Sequence, residues 1–354
     1  MFDEEVVNSF SGGFRISEAG ICTIFGLPSV STLRKVISFP LSLSIHSLVR
    51  KNETVRWKGT NFIDLPPKAS RLTNAWYDPL VMMMNIALQR GWTFSPYILA
   101  DEQLRYNLSL GYYSAFVDLV VESFAQVNGI NLSTSELVQI SSEIQDKIKG
   151  ENYSHETATR RIGKEGNILI YDKISHNYSN EPISFEPYSL ILISENSLET
   201  NHNFLNFQRN FRKFKDANMR NRSTSSLSFP FVGIRNHIDL EEKMFELAME
   251  SFRKNDIASF ISAASEYSKS LGYNLGVLSD SQKTIAKFIE KYKVSNYIFN
   301  VSEYSGSVLV FADSEQQRRI TDNVIRDYYN LTNRTIRIDE INTSSGSKIE
   351  PIRV

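Results

Sequence analysis

The sequence predicts a two-domain α+β protein, and three observations carry that expectation. The 354 residues exceed the roughly 250–300 over which a single core keeps growing. Strand-like and helix-like periodicities alternate along the whole chain. Strand patterns dominate the first third, and long apolar helical patterns follow.

The elements read in order as follows. Gly20 to Gly26 is a short β-branched run between glycines, and Pro40 to Val49 alternates, with Leu41, Leu43 and Ile45 on one face; both read as strands. Pro79 opens a helix whose apolar residues Leu80, Met83, Met84, Ala87 and Leu88 recur at helical spacing until Gly91. A second helix fits Ser114 to Asn128, and a third runs from a capping box, Ser133 with Glu136, to Gly150. The segment GNILIYDKI from 166 and YSLILIS from 188 read as strands, separated by the polar stretch HNYSNEP, near which the boundary between domains 1–184 and 185–354 is expected. Helices follow at 240–253, 257–271 and 279–292, strands at 296–300 and 307–312, a helix from Ser314 and a strand at 335–338. Ser279/Gln282 and Ser314/Gln317 read as further capping boxes.

Composition narrows function. Lys plus Arg total 39 against 40 Asp plus Glu, a net charge of −1, so no overall attraction to nucleic acid or anionic membrane is expected. The single cysteine, Cys22, excludes an internal disulfide framework and multi-cysteine metal sites, and fits a reducing, cytoplasmic setting. The N-terminal MFDEEVVNSF is acidic rather than signal-like, and no apolar run approaches ~18–20 residues, so neither export nor membrane insertion is expected. The five histidines do not pair at metal-ligand spacing, so no metal is expected. Neither Gly-x-x-x-x-Gly-Lys-Ser/Thr nor a helix-opening Gly-x-Gly-x-x-Gly is present, and there is no Gly-x-Ser-x-Gly elbow.

Two clusters remain. Arg209, Arg212, Lys213, Lys215, Arg220 and Arg222 interleave with Phe204, Phe207, Phe211 and Phe214; the phenylalanine spacing favours a solvated amphipathic helix over an anionic-ligand site, and either over nucleic-acid binding. Glu156, Arg160 and Arg161 can gather at one helix end. Alone, such a group reads first as an ion pair and second as a carboxylate or phosphate clamp.

Leu108-Ser109-Leu110-Gly111-Tyr112-Tyr113-Ser114-Ala115 precedes a long apolar helix where proteins of the GHMP kinase superfamily carry Pro-x-x-x-Gly-Leu-Gly-Ser-Ser-Ala. The first strand pair and the Asn296–Phe311 strand–loop–strand fall where that superfamily has its first and third motifs. Ser38 to Ile45 and Glu156 to Ile162 resemble the Leu-Pro-Leu-Asn-Ser-Ser-Ile and Glu-Ser-Ala-x-Arg-Ser-Leu segments of its mevalonate-pathway decarboxylases. The resemblance spans nearly the whole chain with degenerate motifs. It implies a ribosomal S5-like N-terminal domain, a ferredoxin-like C-terminal α/β sandwich with the site between them, and a homodimer.

The departures matter most. Tyr112 and Tyr113 replace the paired serines that in the family approach the ATP phosphates, and the third motif, Asn300 to Ser307, keeps one glycine. Gly111, Tyr112, Tyr113 and Ser114 therefore read as a degenerate nucleotide motif. Packing of the tyrosines on a repositioned loop is compatible with that loss.

The resemblance then implies an ATP-independent decarboxylase without cofactor, which takes mevalonate 3,5-bisphosphate to isopentenyl phosphate in an archaeal-type mevalonate pathway. Two alternatives stand beside it: an ATP-dependent small-molecule kinase or phosphomevalonate decarboxylase, and a noncatalytic binding protein of the same fold. Arg160 matches the family's substrate-binding arginine and Glu156 a substrate-side carboxylate, with Arg161 a further candidate for phosphate charge. The family's catalytic aspartate maps nearest to Asn300. Asp280 is the closest acidic alternative, although helix capping also explains it. The vacated nucleotide cleft is expected to suit an apolar or amphipathic ligand, or to be filled by collapse of its own loop.

Overall fold

The computed structural model describes residues 2–66, 71–150, 153–219 and 229–353, with side chains throughout except at 215–219 and 229–231. A short helix α1 (Glu4–Asn8) precedes β1 (Phe14–Phe25), β2 (Lys35–Asn52), β3 (Val55–Lys58), β4 (Phe62–Leu65), α2 (Asp78–Gln89) and β5 (Ser95–Glu102). One 3-10 turn at Tyr106–Leu108 leads into α3 (Tyr112–Val127), α4 (Thr134–Lys149) and α5 (Ser154–Ile162), and then β6 (Asn167–Asp172), β7 (Tyr178–Pro182) and β8 (Ser189–Glu195). The remainder runs α6 (His202–Met219), α7 (Phe229–Arg253), α8 (Ile257–Tyr273), α9 (Asp280–Lys291), β9 (Tyr297–Asn300), β10 (Ser307–Ala312), α10 (Ser314–Thr332), β11 (Ile336–Ile341) and β12 (Lys348–Pro351).

The strands form two sheets. The first has the order β12-β1-β2-β5-β3-β4, with β6 also on β2 and β7 on β6. The 18-residue β2 makes this possible: one edge pairs β1, and the other pairs β6 over Lys35–Ser38 and β5 over Ile45–Asn52. The second sheet has the antiparallel order β11-β8-β10-β9. Numbered along the chain, its strands lie 4-1-3-2, the order of the ferredoxin-like fold that the family resemblance implies. The two-domain α+β class holds.

Helix α3 is the mast of the N-terminal part. Its interior residues Ala115, Val117, Leu119, Val120, Val121 and Ala125 are fully buried, and Phe116 meets Trp57 of β3 edge-on at 4.8 Å between ring centroids. A register shift in β1 between Ala19 and Ile21 turns two backbone groups off the ladder. The Ile21 N–H donates to the Leu110 carbonyl at 2.9 Å, so this bulge fixes the turn that starts α3.

Several local expectations shift. Helix α3 begins two residues early, at Tyr112 rather than Ser114. HNYSNEP is no plain connector, because β7 within it pairs with β6. The cap of α10 is Asp313 with Gln316, one residue before the expected Ser314/Gln317 box. Aspartate accepts from the first-turn N–H groups as serine does, and its negative charge also suits the helix N-terminus. The capping boxes Ser133/Glu136 and Ser279/Gln282 form as expected.

The C-terminal segment straps across α5. Gly346 N–H donates to the Gly163 carbonyl at 3.2 Å, and Ser347 N–H donates to the Arg160 carbonyl at 2.6 Å. A Cβ on Gly346 would lie 1.7 Å from that carbonyl oxygen. Gly346→Ala should therefore destabilise the fold by about 2–3 kcal/mol. The measurement is the urea midpoint of purified protein, and an unchanged midpoint would contradict so close an approach.

Candidate functional site

The site begins at the turn before α3. Ser109 and Gly111 both adopt left-handed backbone conformations, φ 57° and 71°, and the helix starts immediately afterwards without a side-chain cap. Glycine is required at 111 by conformation and also by space. A Cβ there would lie 2.8 Å from Glu156 Oε2 and 3.0 Å from Arg160 Nη2. The carboxylate of Glu156 thus sits beside the positive end of α3, where Ser114 Oγ donates to it.

Arg160 holds this arrangement from below. Its side chain is completely buried and pairs with Asp118 Oδ2 at 2.5 Å and Glu156 Oε2 at 3.6 Å. Nε donates to the Ala19 carbonyl freed by the β1 bulge, at 2.9 Å, and Nη2 donates to the Gly111 carbonyl at 2.9 Å and to Ser114 Oγ at 2.5 Å. Asp118 Oδ1 accepts from Thr157 Oγ1 at 2.9 Å. The structure thus places Arg160, the expected substrate clamp, beneath the turn, with every nitrogen of its guanidinium bonded to protein.

Arg161 also works within the scaffold. It pairs with Glu122 at 2.9 Å and donates to the Leu132 carbonyl at 2.9 Å, which ties α5 to α3 and to the approach of α4. Asp280, the acidic alternative, lies elsewhere. It is the first residue of α9, its side chain is 94% exposed, and it pairs with Lys283 at 3.1 Å, away from the cavity. Asn300 does reach the cavity wall. Its Nδ2 donates to Ser307 Oγ at 3.0 Å and its Oδ1 faces Cys22 Sγ at 3.7 Å. Burial pushes the Cys22 thiol up to about 12, so it stays protonated.

An inner cavity of about 180 Å³ lies over the Gly111–Ser114 turn; Glu156, Asn300, Ser302, Gln208 and Arg212 are among its walls. An outer cavity of about 810 Å³ opens beside it, lined by Trp76, Phe116 and Leu198 among others. The two share Tyr106, Tyr112, Tyr113, Lys149 and Tyr304, which therefore form the partition between them.

That partition is a cross-link between the α3 turn and the β9–β10 loop. Ser109 Oγ and Ser302 Oγ are 2.6 Å apart, Ser307 Oγ donates to the Leu108 carbonyl at 2.6 Å, and Tyr106 donates to Glu303 Oε1 at 3.1 Å. Lys149 pairs with the same Glu303 oxygen at 3.0 Å. Tyr106 packs edge-on against Tyr304 at 4.5 Å and tilted against Tyr112 at 5.0 Å, and Tyr112 donates to Glu102 Oε2 at 2.8 Å. Rings and a direct serine–serine contact thus fill the space between the start of α3 and the β9–β10 loop.

Sequence reasoning assigned no role to Tyr106, Lys149, Glu303 and Tyr304; the adjacent Glu303 and Tyr304 lie within the third motif, far along the chain from Tyr106 and Lys149, which they meet only in the fold. Asp118 and Glu122 carried a signal, two acids inside the apolar run FVDLVVESF. For the basic segment, Phe204, Phe207, Phe211 and Phe214 are buried along α6 as their spacing predicts. The side chain of Lys215, with Arg220 and Arg222, lies outside the described residues. Among the described residues, no group of three or more His, Cys, Asp or Glu is placed to hold a metal ion, and no helix is long and apolar enough to cross a membrane.

No protein-family model matches the chain, and no curated protein matches it by sequence. Solved structures do match in fold. The galactokinase of Lactococcus lactis, complexed with galactose, aligns over 97% of this chain and 98% of its own, with a TM-score of 0.81 and 14% identity. The mevalonate kinase of Methanococcus jannaschii covers 93% and 98%, at 0.69 and 10%. The mevalonate diphosphate decarboxylase of Staphylococcus aureus covers 96% and 98%, at 0.63 and 12%. The chain therefore has the GHMP kinase fold over nearly its full length.

Two predictions follow from the buried charges. Asp118→Ala leaves the Arg160 guanidinium without its closest carboxylate and should cost about 3–5 kcal/mol, read from denaturant unfolding; a loss below 1 kcal/mol would show that the pair is dispensable. Glu18, fully buried beneath the same arginine, has its pKa raised well above 4.5, first by burial and then by the Asp118 charge. A raised carboxyl stabilises the fold below its unfolded value and loses that contribution as pH rises through the folded one. Stability should thus fall as pH rises from about 4.5 toward neutrality, and Glu18→Gln should flatten that fall. Parallel profiles for wild type and variant would contradict the assignment.

Proposed function

We propose that this chain is a GHMP-fold enzyme that works without ATP, eliminating phosphate and carbon dioxide from mevalonate 3,5-bisphosphate to give isopentenyl phosphate. The observation that carries the ATP-independent part is the cross-link from the α3 turn to the β9–β10 loop through Ser109–Ser302, Tyr106, Tyr304 and the Lys149–Glu303 pair. The identity of the substrate rests on the resemblance of the Ser38–Ile45 and Glu156–Ile162 segments to the mevalonate-pathway decarboxylases.

The reaction needs no base. The electron pair of the bond between carbon and carboxylate becomes the new C=C bond, the C–O bond to the 3-phosphate breaks, and its pair leaves on the phosphate. Carbon dioxide departs without transfer of a proton. An amide at Asn300 and a solvent-exposed Asp280 are compatible with that chemistry, whereas activation of a hydroxyl for phosphorylation would require a proton acceptor. What the site must supply is positive potential for the departing phosphate. The N-terminal N–H groups of α3 and the Lys149 ammonium border the cavity where it would lie.

The test is the full chain incubated with mevalonate 3,5-bisphosphate and no nucleotide, following phosphate and carbon dioxide. Equimolar release of both is expected, with no stimulation by ATP. Absence of release at every pH tried would overturn the reaction. Binding without release would favour a noncatalytic small-molecule binder, a reading favoured by the Glu156 carboxylate that faces the cavity beside the anion-attracting end of α3.

A further inference from the structure

We propose that Glu241 of α7 is a positioning residue for the inner cavity: it latches the loop between β1 and β2, residues 26–34, which supplies Leu27 and Ser29 to the cavity wall. The inference rests on the reading that this cavity is the substrate site, and it assigns the contact that sets the shape of one wall.

The loop is held at its two ends by the first sheet. Gly26 has φ 79°, and a Cβ there would lie 2.3 Å from the Lys35 carbonyl oxygen across the mouth of the loop. Lys173, just past β6, donates its N–H to the Arg34 carbonyl at 3.0 Å and its Nζ to the Gly26 carbonyl at 3.5 Å. Between those ends the chain leaves the sheet. Val30 is fully buried and belongs to the core of the C-terminal part, with Phe204, Phe207, Ile234 and Leu271.

Glu241 makes the polar half of that docking. Its side chain is completely buried, and Oε2 accepts from Thr32 N–H at 3.1 Å and from Thr32 Oγ1 at 3.5 Å. A buried carboxylate deprived of such donors is costly, so the loop backbone and the carboxylate hold each other in place. Phe25, the last residue of β1, is clasped by the same pair of helices. Its ring stacks on Tyr267 of α8 at 4.9 Å and meets Phe245 of α7, one turn beyond Glu241, edge-on at 5.8 Å. Leu27 and Ser29 lie in the chain between the clasped Phe25 and the latched Thr32. Their reach into the cavity is therefore set by contacts with α7 and α8, while the stems of the loop belong to the N-terminal sheet.

The experiment compares wild type, Glu241→Ala, Glu241→Gln, Val30→Ala and Val324→Ala in the full chain, with thermal melts to confirm folding. Glu241→Gln keeps a carbonyl oxygen for the Thr32 N–H, whereas Glu241→Ala removes it. Val324→Ala removes as much side chain as Val30→Ala from the same core, but on α10, and controls for a general loss of stability. Amide hydrogen exchange of residues 27–33 is followed, and mevalonate 5-phosphate is titrated by calorimetry. Glu241→Ala and Val30→Ala should speed loop exchange about tenfold or more and weaken binding about fivefold. Glu241→Gln should recover most of both, and Val324→Ala should leave both near wild type. With mevalonate 3,5-bisphosphate, the two loop variants should raise KM more than they lower kcat, because the loop binds and does not react. Wild-type loop exchange in Glu241→Ala, a Glu241→Gln no better than Glu241→Ala, equal losses in Val324→Ala, or no binding of the probe by wild type would overturn the proposal. A loop that loosens while binding keeps its wild-type strength would do so too. Binding that depends on Glu241 without release of phosphate and carbon dioxide would leave the latch standing and remove the reaction. Release with a wild-type KM in every variant would do the reverse.

Discussion

The interaction on which the rest depends is the buried guanidinium of Arg160. One side chain bonds the bulge in β1 through the Ala19 carbonyl, the turn before α3 through Gly111 and Ser114, and helix α3 itself through Asp118. Its backbone carbonyl then takes the C-terminal strap through Ser347. Elements more than 200 residues apart in sequence are thereby brought to one point. A buried ion pair of this kind is a poor source of net stability, because desolvation offsets most of the attraction. Its effect is geometric, since it fixes these elements relative to one another. Asp118, Glu18 and Glu122 are drawn into the same buried region, and burial raises the Glu18 and Glu122 carboxyls.

Above that anchor, the α3 turn and the β9–β10 loop meet. Small side chains and glycines at such a junction leave backbone N–H groups open to an anion. Here tyrosines and serines occupy the equivalent stretches and bond to one another instead. The Lys149–Glu303 pair and the Tyr106–Tyr304 contact divide the space into an inner cavity and an outer one bordered by Trp76, Phe116 and Leu198. The outer space is an open cavity of about 810 Å³. A fold shared with sugar and mevalonate kinases is thus compatible with chemistry that requires no phosphoryl donor.

Much of the fold was legible in the sequence, because its long helices and buried strands carry periodicity that local reasoning can detect. The α+β class, α2, α3 and α4 were within reach, the ferredoxin-like sheet was implied by the family resemblance, and the double tyrosine at 112 and 113 pointed to a changed nucleotide motif. Short strands such as β3, β4 and β12 were not legible. They hold four residues each and owe their existence to partners elsewhere in the chain. The site was legible in its members more than in their roles. Glu156, Asn300 and the Gly111–Ser114 turn border the cavity, yet Arg160 faces inward and Asp280 outward. Which way a side chain points depends on packing that no local pattern encodes: the arginine found a buried aspartate one α3 turn below Ser114, and the aspartate found a lysine in its own helix.

The central claim is that the junction between the two loops excludes a nucleotide. The most direct measurement is a titration of the intact chain with magnesium and a nonhydrolysable ATP analogue, followed by amide chemical shifts of Gly111 to Ser114 and Ser302 to Gly306. The account predicts no saturable shift at these residues up to millimolar analogue. Saturable shifts there at micromolar concentration would show that the partition opens to admit a triphosphate, and would contradict it.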